Sequence, residues 1–254
     1  MLAHVGRRGP LLVVACWFVC LLVLGVGWRD RAQAGPAGQA AATSPDVAAG
    51  RQLYVARCSS CHGVDVRGTK NGPELVDAGA GSADFYLRTG RMPLNDPRQQ
   101  PSRHRPAFPD DQIRQMVAYI GSLDSGRPIP TLLPGNLADG NQLFQLNCAQ
   151  CHSVAGAGGS LGYGDIVPSL RQTSLLDAAE AMRIGPKPMP VFGPGILSDR
   201  QVSDIATYVQ YLHHPEDRGG FGLGHLGPIP EGFVAWVVGM GALLVAARLI
   251  GTRG

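Results

Sequence analysis

The sequence predicts an all-α protein: two small helical domains in tandem, with an apolar segment near the N-terminus and a transmembrane helix near the C-terminus. Three observations lead there. The chain duplicates itself with an offset of 90 residues. Each copy closes on a segment whose apolar residues recur at helical spacing. Two uncharged stretches, Leu11–Trp28 and Gly232–Ala247, flank the duplicated region.

The first stretch, 18 residues rich in Leu and Val, follows Arg7 and Arg8. That positive start and the Ala32-Gln33-Ala34 site behind it fit a cleaved export signal. The length also reaches that of a membrane span, and Arg29, Asp30 and Arg31 separate it from the cleavage site. Residues 1–31 are expected to be a signal-anchor or transmembrane segment. Either way the centre is exported.

The duplication is dense. Gly50, Leu53, Tyr54, Cys58, Cys61 and His62 recur as Gly140, Leu143, Phe144, Cys148, Cys151 and His152. Arg88-Thr89-Gly90 ahead of Met92-Pro93 matches Arg183-Ile184-Gly185 ahead of Met189-Pro190. Each copy therefore reads as helix, cysteine motif, Gly/Pro-rich loop, short helix, Met-Pro turn and closing helix. In the first closing helix Ile113, Met116, Val117 and Ile120 fall at i, i+3, i+4 and i+7. Val202, Ile205, Val209 and Leu212 do nearly the same in the second, with Asp110 and Ser198 standing as expected N-caps. The domains are placed at 46–125 and 136–218, joined by a short, stiff, Pro-containing linker at 126–135.

After a Gly-rich linker, 219–231, residues 232–251 are expected to cross the membrane, with Arg248 snorkelling. Trp28 and Trp236 stand where interfacial anchors would. Arg7, Arg8, Arg248 and Arg253 place both ends in the cytoplasm. The expected location is the cell membrane, multi-pass, with the duplicated domains on the extracytoplasmic side.

Composition excludes several classes. Charged residues are 16% and the net charge is +3, so no basic nucleic-acid surface exists. Aliphatic-rich strands are missing, against a parallel α/β enzyme. Four of the six cysteines sit in two Cys-x-x-Cys-His motifs, which leaves none in the central region for a structural disulfide.

Cys-x-x-Cys-His is the attachment signal for c-type haem. Cysteines three apart on a helical turn project from one side, so both sulfurs can add across the haem vinyl groups. The next residue, histidine, is the proximal iron ligand. Two covalently bound haems are expected, one on Cys58 and Cys61 with His62, the other on Cys148 and Cys151 with His152. Zinc is the competing reading, but its cysteine pairs usually lie 15–20 residues apart, and these are separated by more than 80. For the second axial ligand, Met92 and Met189 occupy matched Met-Pro turns. Met182 has the same spacing from its histidine as Met92, yet aligns with Leu87 and reads as core. Arg88 and Arg183, also matched, read either as partners of haem propionates or as a solvated helix face. His213 and His214 read as a helix end and His104 as part of an Arg-rich loop.

These residues resemble class I cytochrome c domains. The resemblance implies that Gly50 and Tyr54 pack against Tyr119, that Gly140 and Phe144 pack against Tyr208, and that Pro73 and Pro168 offer a carbonyl to the proximal histidine. Over essentially its full length the chain resembles the dihaem cytochrome c subunit of the actinobacterial cytochrome bc complex, quinol–cytochrome c reductase. That implies a subunit of an enzyme, without a substrate site of its own. It would pass electrons from the Rieske iron–sulfur protein to a cytochrome c oxidase, beside cytochrome b and in a supercomplex. The alternatives are a dihaem subunit of a cbb-type oxidase or of a periplasmic dehydrogenase. A dihaem peroxidase needs a replaceable ligand, which two Met-Pro turns disfavour.

Overall fold

The computed structural model describes residues 44–123, 126–216 and 228–252. The first apolar stretch, with Cys16, Cys20 and the Ala32–Ala34 site, lies outside the described residues, as does most of the Gly-rich run before the last helix.

In the first copy, α1 (Ser44–Arg57) leads into a one-turn α2 (Ser59–His62), then α3 (Gly79–Arg88) and α4 (Asp110–Gly121). The second copy repeats the order as α5 (Leu137–Asn147), α6 (Ala149–His152), α7 (Leu175–Ile184) and α8 (Asp199–Tyr211). Its longer loop adds a small antiparallel hairpin, β1 (Gly159–Ser160) and β2 (Ile166–Val167). The expected helical periodicity is what the core uses. Ile113, Met116, Val117 and Ile120 are all buried, as are Val202, Ile205, Val209 and Leu212.

First and last helices of each copy cross at a glycine. A Cβ on Gly50 would stand 1.9 Å from the Gln115 carbonyl oxygen of α4, and one on Gly140 would stand 2.1 Å from that of Asp204 on α8. Only a residue without a Cβ permits this approach. Four residues later the aromatic pair closes over the crossing, Tyr54 against Tyr119 at 5.4 Å between ring centroids and Phe144 against Tyr208 at 5.3 Å.

Helix ends follow local chemistry, with one correction. Ser198 forms a capping box with Gln201, Asn136 caps α5, and Ser174 caps α7. Asp110 is not a cap. Pro109 takes the N-cap position in extended geometry, and Asp110, the first helical residue, instead accepts a hydrogen bond from Arg88 Nη1 at 2.5 Å.

The linker lies along both domains. Arg127 accepts a hydrogen bond from Gly81 N–H of α3 (2.9 Å), while Leu133 N–H donates to Ser203 Oγ (3.0 Å) and Asn136 N–H to Asp204 (2.7 Å) on α8. The loop 91–109 reaches the second domain as well. Gln100 exchanges two hydrogen bonds with the backbone of Ile166, and Arg103 pairs with Asp177. Between these contacts α3 packs on α7, its counterpart in the other copy.

The last helix, α9 (Pro228–Gly251), begins ahead of the expected residue 232. Pro228 and Pro230 are tolerated because the first turn has no internal acceptors for their missing N–H groups. Within residues 229–251 the most apolar 18-residue window has a mean hydropathy of 2.1, and none of that window is buried by the rest of the chain. At about 1.5 Å per residue the helix is long enough for a hydrocarbon layer of about 30 Å. It is not covered by the rest of the chain as a core helix would be, and its length and composition suit a membrane anchor.

The crossing is the stability test. Gly140→Ala should force α5 and α8 apart and cost about 3 kcal/mol, the upper end for overpacking, in thermal unfolding of the second domain.

Candidate functional site

Each cysteine motif forms where a long helix breaks. Cys58 ends α1 and starts α2 with φ −121°, and Cys148 takes φ −120° at the same joint between α5 and α6. The turn is closed by the first cysteine's carbonyl, which accepts from Cys61 N–H and His62 N–H at 3.1 and 3.0 Å. In the second copy the Cys148 carbonyl accepts from Cys151 and His152 at 3.1 and 2.9 Å. Both cysteines and the histidine of each motif therefore lie on one tight turn, as the spacing predicts.

The histidines are oriented from behind. His62 Nδ1 lies 2.8 Å from the Pro73 carbonyl oxygen, and His152 Nδ1 lies 3.2 Å from that of Pro168. A carbonyl can only accept, so Nδ1 carries the proton and Nε2 keeps its lone pair for a metal. Burial depresses the His152 pKa, outweighing its bond to Pro168, and the neutral form it favours is the ligating one. Both proline positions inferred from the family resemblance are in place.

The thiols are not redox-poised. None of the four motif cysteines in the described residues is in a disulfide. Burial, with a smaller contribution from the neighbouring cysteine, pushes Cys58 and Cys148 up to about 11. A catalytic Cys-x-x-Cys pair has a depressed pKa instead. Nor do the pairs converge: among the described residues no three His, Cys, Asp or Glu side chains group as a metal site. What remains is a pair of sulfurs beside a histidine with a free Nε2, which fits covalent attachment of haem. Exposed Val64 and Val154, two residues after each histidine, leave bare apolar surface beside the motif that an apolar cofactor could cover.

The methionines separate by burial. Met182 is 3% exposed inside the second core, whereas Met92 and Met189 are half-buried at the edges of their clusters. Met92 N–H donates to Tyr86 O at 3.1 Å and Met189 N–H to Pro186 O at 2.9 Å, which holds each turn.

The arginines correct the expectation of a solvated helix face. Arg88 is taken by Asp84 (2.8 Å) and Asp110, and Arg183 by Asp199 (2.5 Å) and the carbonyls of Phe192 and Leu197, both at 2.7 Å. Each thus ties the short helix of its domain to the start of the closing helix. Both are thus held within the protein rather than lying on a solvated helix face. His213 Nε2 bonds to the Leu170 carbonyl at 3.0 Å and closes the second loop.

Tyr54 carries a role the sequence reading did not assign. Its hydroxyl donates to the carbonyl of Gly63, directly after His62, at 2.6 Å. Burial raises its pKa, so it stays a donor. Phe144 is fully buried at the matched position and has no such bond, and Ser153 adopts φ +62° there where the first copy has Gly63.

Fold and site together define a c-type cytochrome built from two cytochrome c domains, a class whose haem is covalently bound to the protein. The cytochrome c family model matches residues 47–124, and the model for cytochrome c oxidase, cbb3-type, subunit III matches residues 135–209. The chain is 34% identical over 224 residues to the cytochrome bc1 complex cytochrome c subunit of Corynebacterium diphtheriae, covering 80% of each chain. It is 34% identical over 248 residues to that of Mycobacterium leprae, 92% of this chain and 86% of the relative. A cbb3-type cytochrome c oxidase subunit of Azospirillum is 30% identical over 190 residues, 65% of this chain and 62% of that one. The chain belongs to the family of cytochrome bc1 complex cytochrome c subunits.

Tyr54→Phe should reproduce the second copy's arrangement in the first. The loss expected is about 1 kcal/mol, the net worth of one hydrogen bond, confined to unfolding of the first domain and measured by denaturant titration.

Proposed function

We propose that this chain passes electrons from the Rieske iron–sulfur subunit of a quinol-oxidising cytochrome bc complex to a terminal cytochrome c oxidase. The observation that carries the reading is the same motif turn built twice, each time with the histidine locked by a proline carbonyl. Two haems would be bound, one by Cys58 and Cys61 and one by Cys148 and Cys151. His62 and Met92 would be the axial ligands of the first iron, and His152 and Met189 those of the second. When bound, such iron supplies a one-electron couple that Met/His ligation sets high. The chain's own part is to hold that couple still. Pro73 and Pro168 fix the imidazoles and raise their basicity. The Arg88 and Arg183 ion pairs join the elements on either side of each methionine turn.

The chain has no substrate site of its own in this reading, so it counts as enzyme only within the complex. Cytochrome b is a further partner. Arg248, near the end of α9, supports a cytoplasmic C-terminus with the cytochrome domains on the other side. A second pass at residues 11–28 would make the protein multi-pass. An oxidase subunit is the second reading, favoured by the match of residues 135–209 and by the Azospirillum relative. Against it stands α9, an anchor placed after both cytochrome domains.

Two experiments decide. Met189→Ala should abolish the methionine–iron charge-transfer band of one haem. Met182→Ala should leave both bands and cost only packing, about 2–5 kcal/mol. Deleting residues 229–254 should leave the visible spectrum normal while uncoupling quinol oxidation from oxygen uptake in membranes. Full quinol-dependent oxygen uptake by the truncated protein at native abundance would replace the tethered carrier with a diffusing one.

A further inference from the structure

Helices α3 and α7 pack against each other across the interface between the two cytochrome domains. Four carboxyl groups and three arginines gather there. Arg88 holds Asp84 and Asp110, and Arg103 holds Asp177. Arg91 lies 4.7 Å over the Phe85 ring and acts electrostatically on Asp177. Three cations thus match three aspartates. The fourth acid, Glu180, is 0% exposed, and neither of its oxygens has a hydrogen-bond partner. Asp84, 3% exposed, is within hydrogen-bonding reach of it and leaves its own Oδ2 without a donor. Three buried carboxylate oxygens without donors call for a proton.

We propose that Glu180 and Asp84 form a proton-binding site across the domain interface, one proton on Glu180 being donated to Asp84 and latching the two domains together. Burial raises both carboxyls; the assignment within the pair follows from Arg88, whose ion pair opposes that rise at Asp84, whereas among the described residues no ion pair reaches Glu180. With that proton in place the cluster is neutral, three arginines against three carboxylates. Without it, Glu180 and Asp84 face each other as like charges from opposite domains. Among the other groups around the site, Arg91 Nη1 is buried without a hydrogen-bond partner. Tyr86 on α3 sits by Arg91, and Arg183 on α7 is taken by Asp199 of α8. Asp204 of α8 accepts from the Asn136 N–H.

The sign follows from the direction of the shift. Burial, then Asp84 and Asp177, raise the Glu180 carboxyl well above its ordinary range. The folded interface therefore binds a proton that the unfolded chain does not. Glu180's contribution to interdomain packing is therefore complete below the ordinary carboxyl range and is lost as pH rises from there through the raised folded value.

The test uses the full-length haem-loaded protein in detergent, with Glu180→Gln, which keeps a donor and removes the ionisation. Infrared spectra recorded against pH should show a neutral carboxylic acid in the wild type above about pH 6 that the variant lacks; haem propionates are common to both and cancel. Hydrogen exchange of peptides covering 79–88 and 175–184, corrected for intrinsic rate, should rise severalfold with pH in the wild type and stay level in the variant. If Glu180→Gln does not fold, Asp84→Asn serves: loss of one like charge should move the disappearance of the band to lower pH. The proposal is overturned by a band that survives in Glu180→Gln, by equal exchange profiles, or by an unmoved midpoint in Asp84→Asn. None of these readouts depends on electron delivery to an oxidase.

Discussion

The first and last helices of each domain meet backbone to backbone, and a missing Cβ at Gly50 or Gly140 allows it. That approach brings Tyr54 onto Tyr119 and Phe144 onto Tyr208, which seals the crossing and sets the direction in which α1 and α5 run into the cysteine motifs. A side chain at the crossing would have to displace a helix carbonyl already committed within its own helix, and rigid helix backbone cannot yield as a side chain can. The geometry of the motif, the closing helix and the aromatic core all descend from this one contact.

From there the site is built with little freedom. The helix breaks at the first cysteine, one turn presents the second cysteine and the histidine, and a proline carbonyl further along fixes the imidazole. The two copies are not equivalent in detail. The first has the tighter His–Pro contact and the extra Tyr54 hydroxyl bond, while the second has a more buried histidine, a hairpin in the loop and a strained Ser153. Differences of this kind change the basicity of each imidazole and the polarity around it.

The domains are also held in a defined relation. The linker lies first on α3 and then on α8, the loop before α4 reaches across through Gln100 and Arg103, and α3 meets α7 at a buried polar cluster. A fixed separation between two redox domains makes transfer between them independent of diffusion. The membrane helix, wholly uncovered by the rest of the chain, does the same for the protein as a whole by confining it to the bilayer.

Sequence alone determined whatever is local or repeated. The cysteine motifs, the helical periodicity of the closing segments, the Ser198 cap and the span near the C-terminus depend on short spacings that the folded chain preserves. The duplication added long-range information, because two copies with the same order of residues point to the same packing, glycine against closing helix. Tertiary structure decided what depends on distant charges. Asp110 looked like a cap, but Arg88, 22 residues earlier in the chain, takes its carboxylate, and Pro109 supplies the extended geometry of the cap position. Arg88 and Arg183 were ambiguous until their aspartates came within reach. Glu180 and Asp84 give no pattern at all in one dimension, since they belong to different domains and only the packing of α3 on α7 makes them neighbours. Periodicity records which side of a helix is buried; it does not record which helix lies against that side.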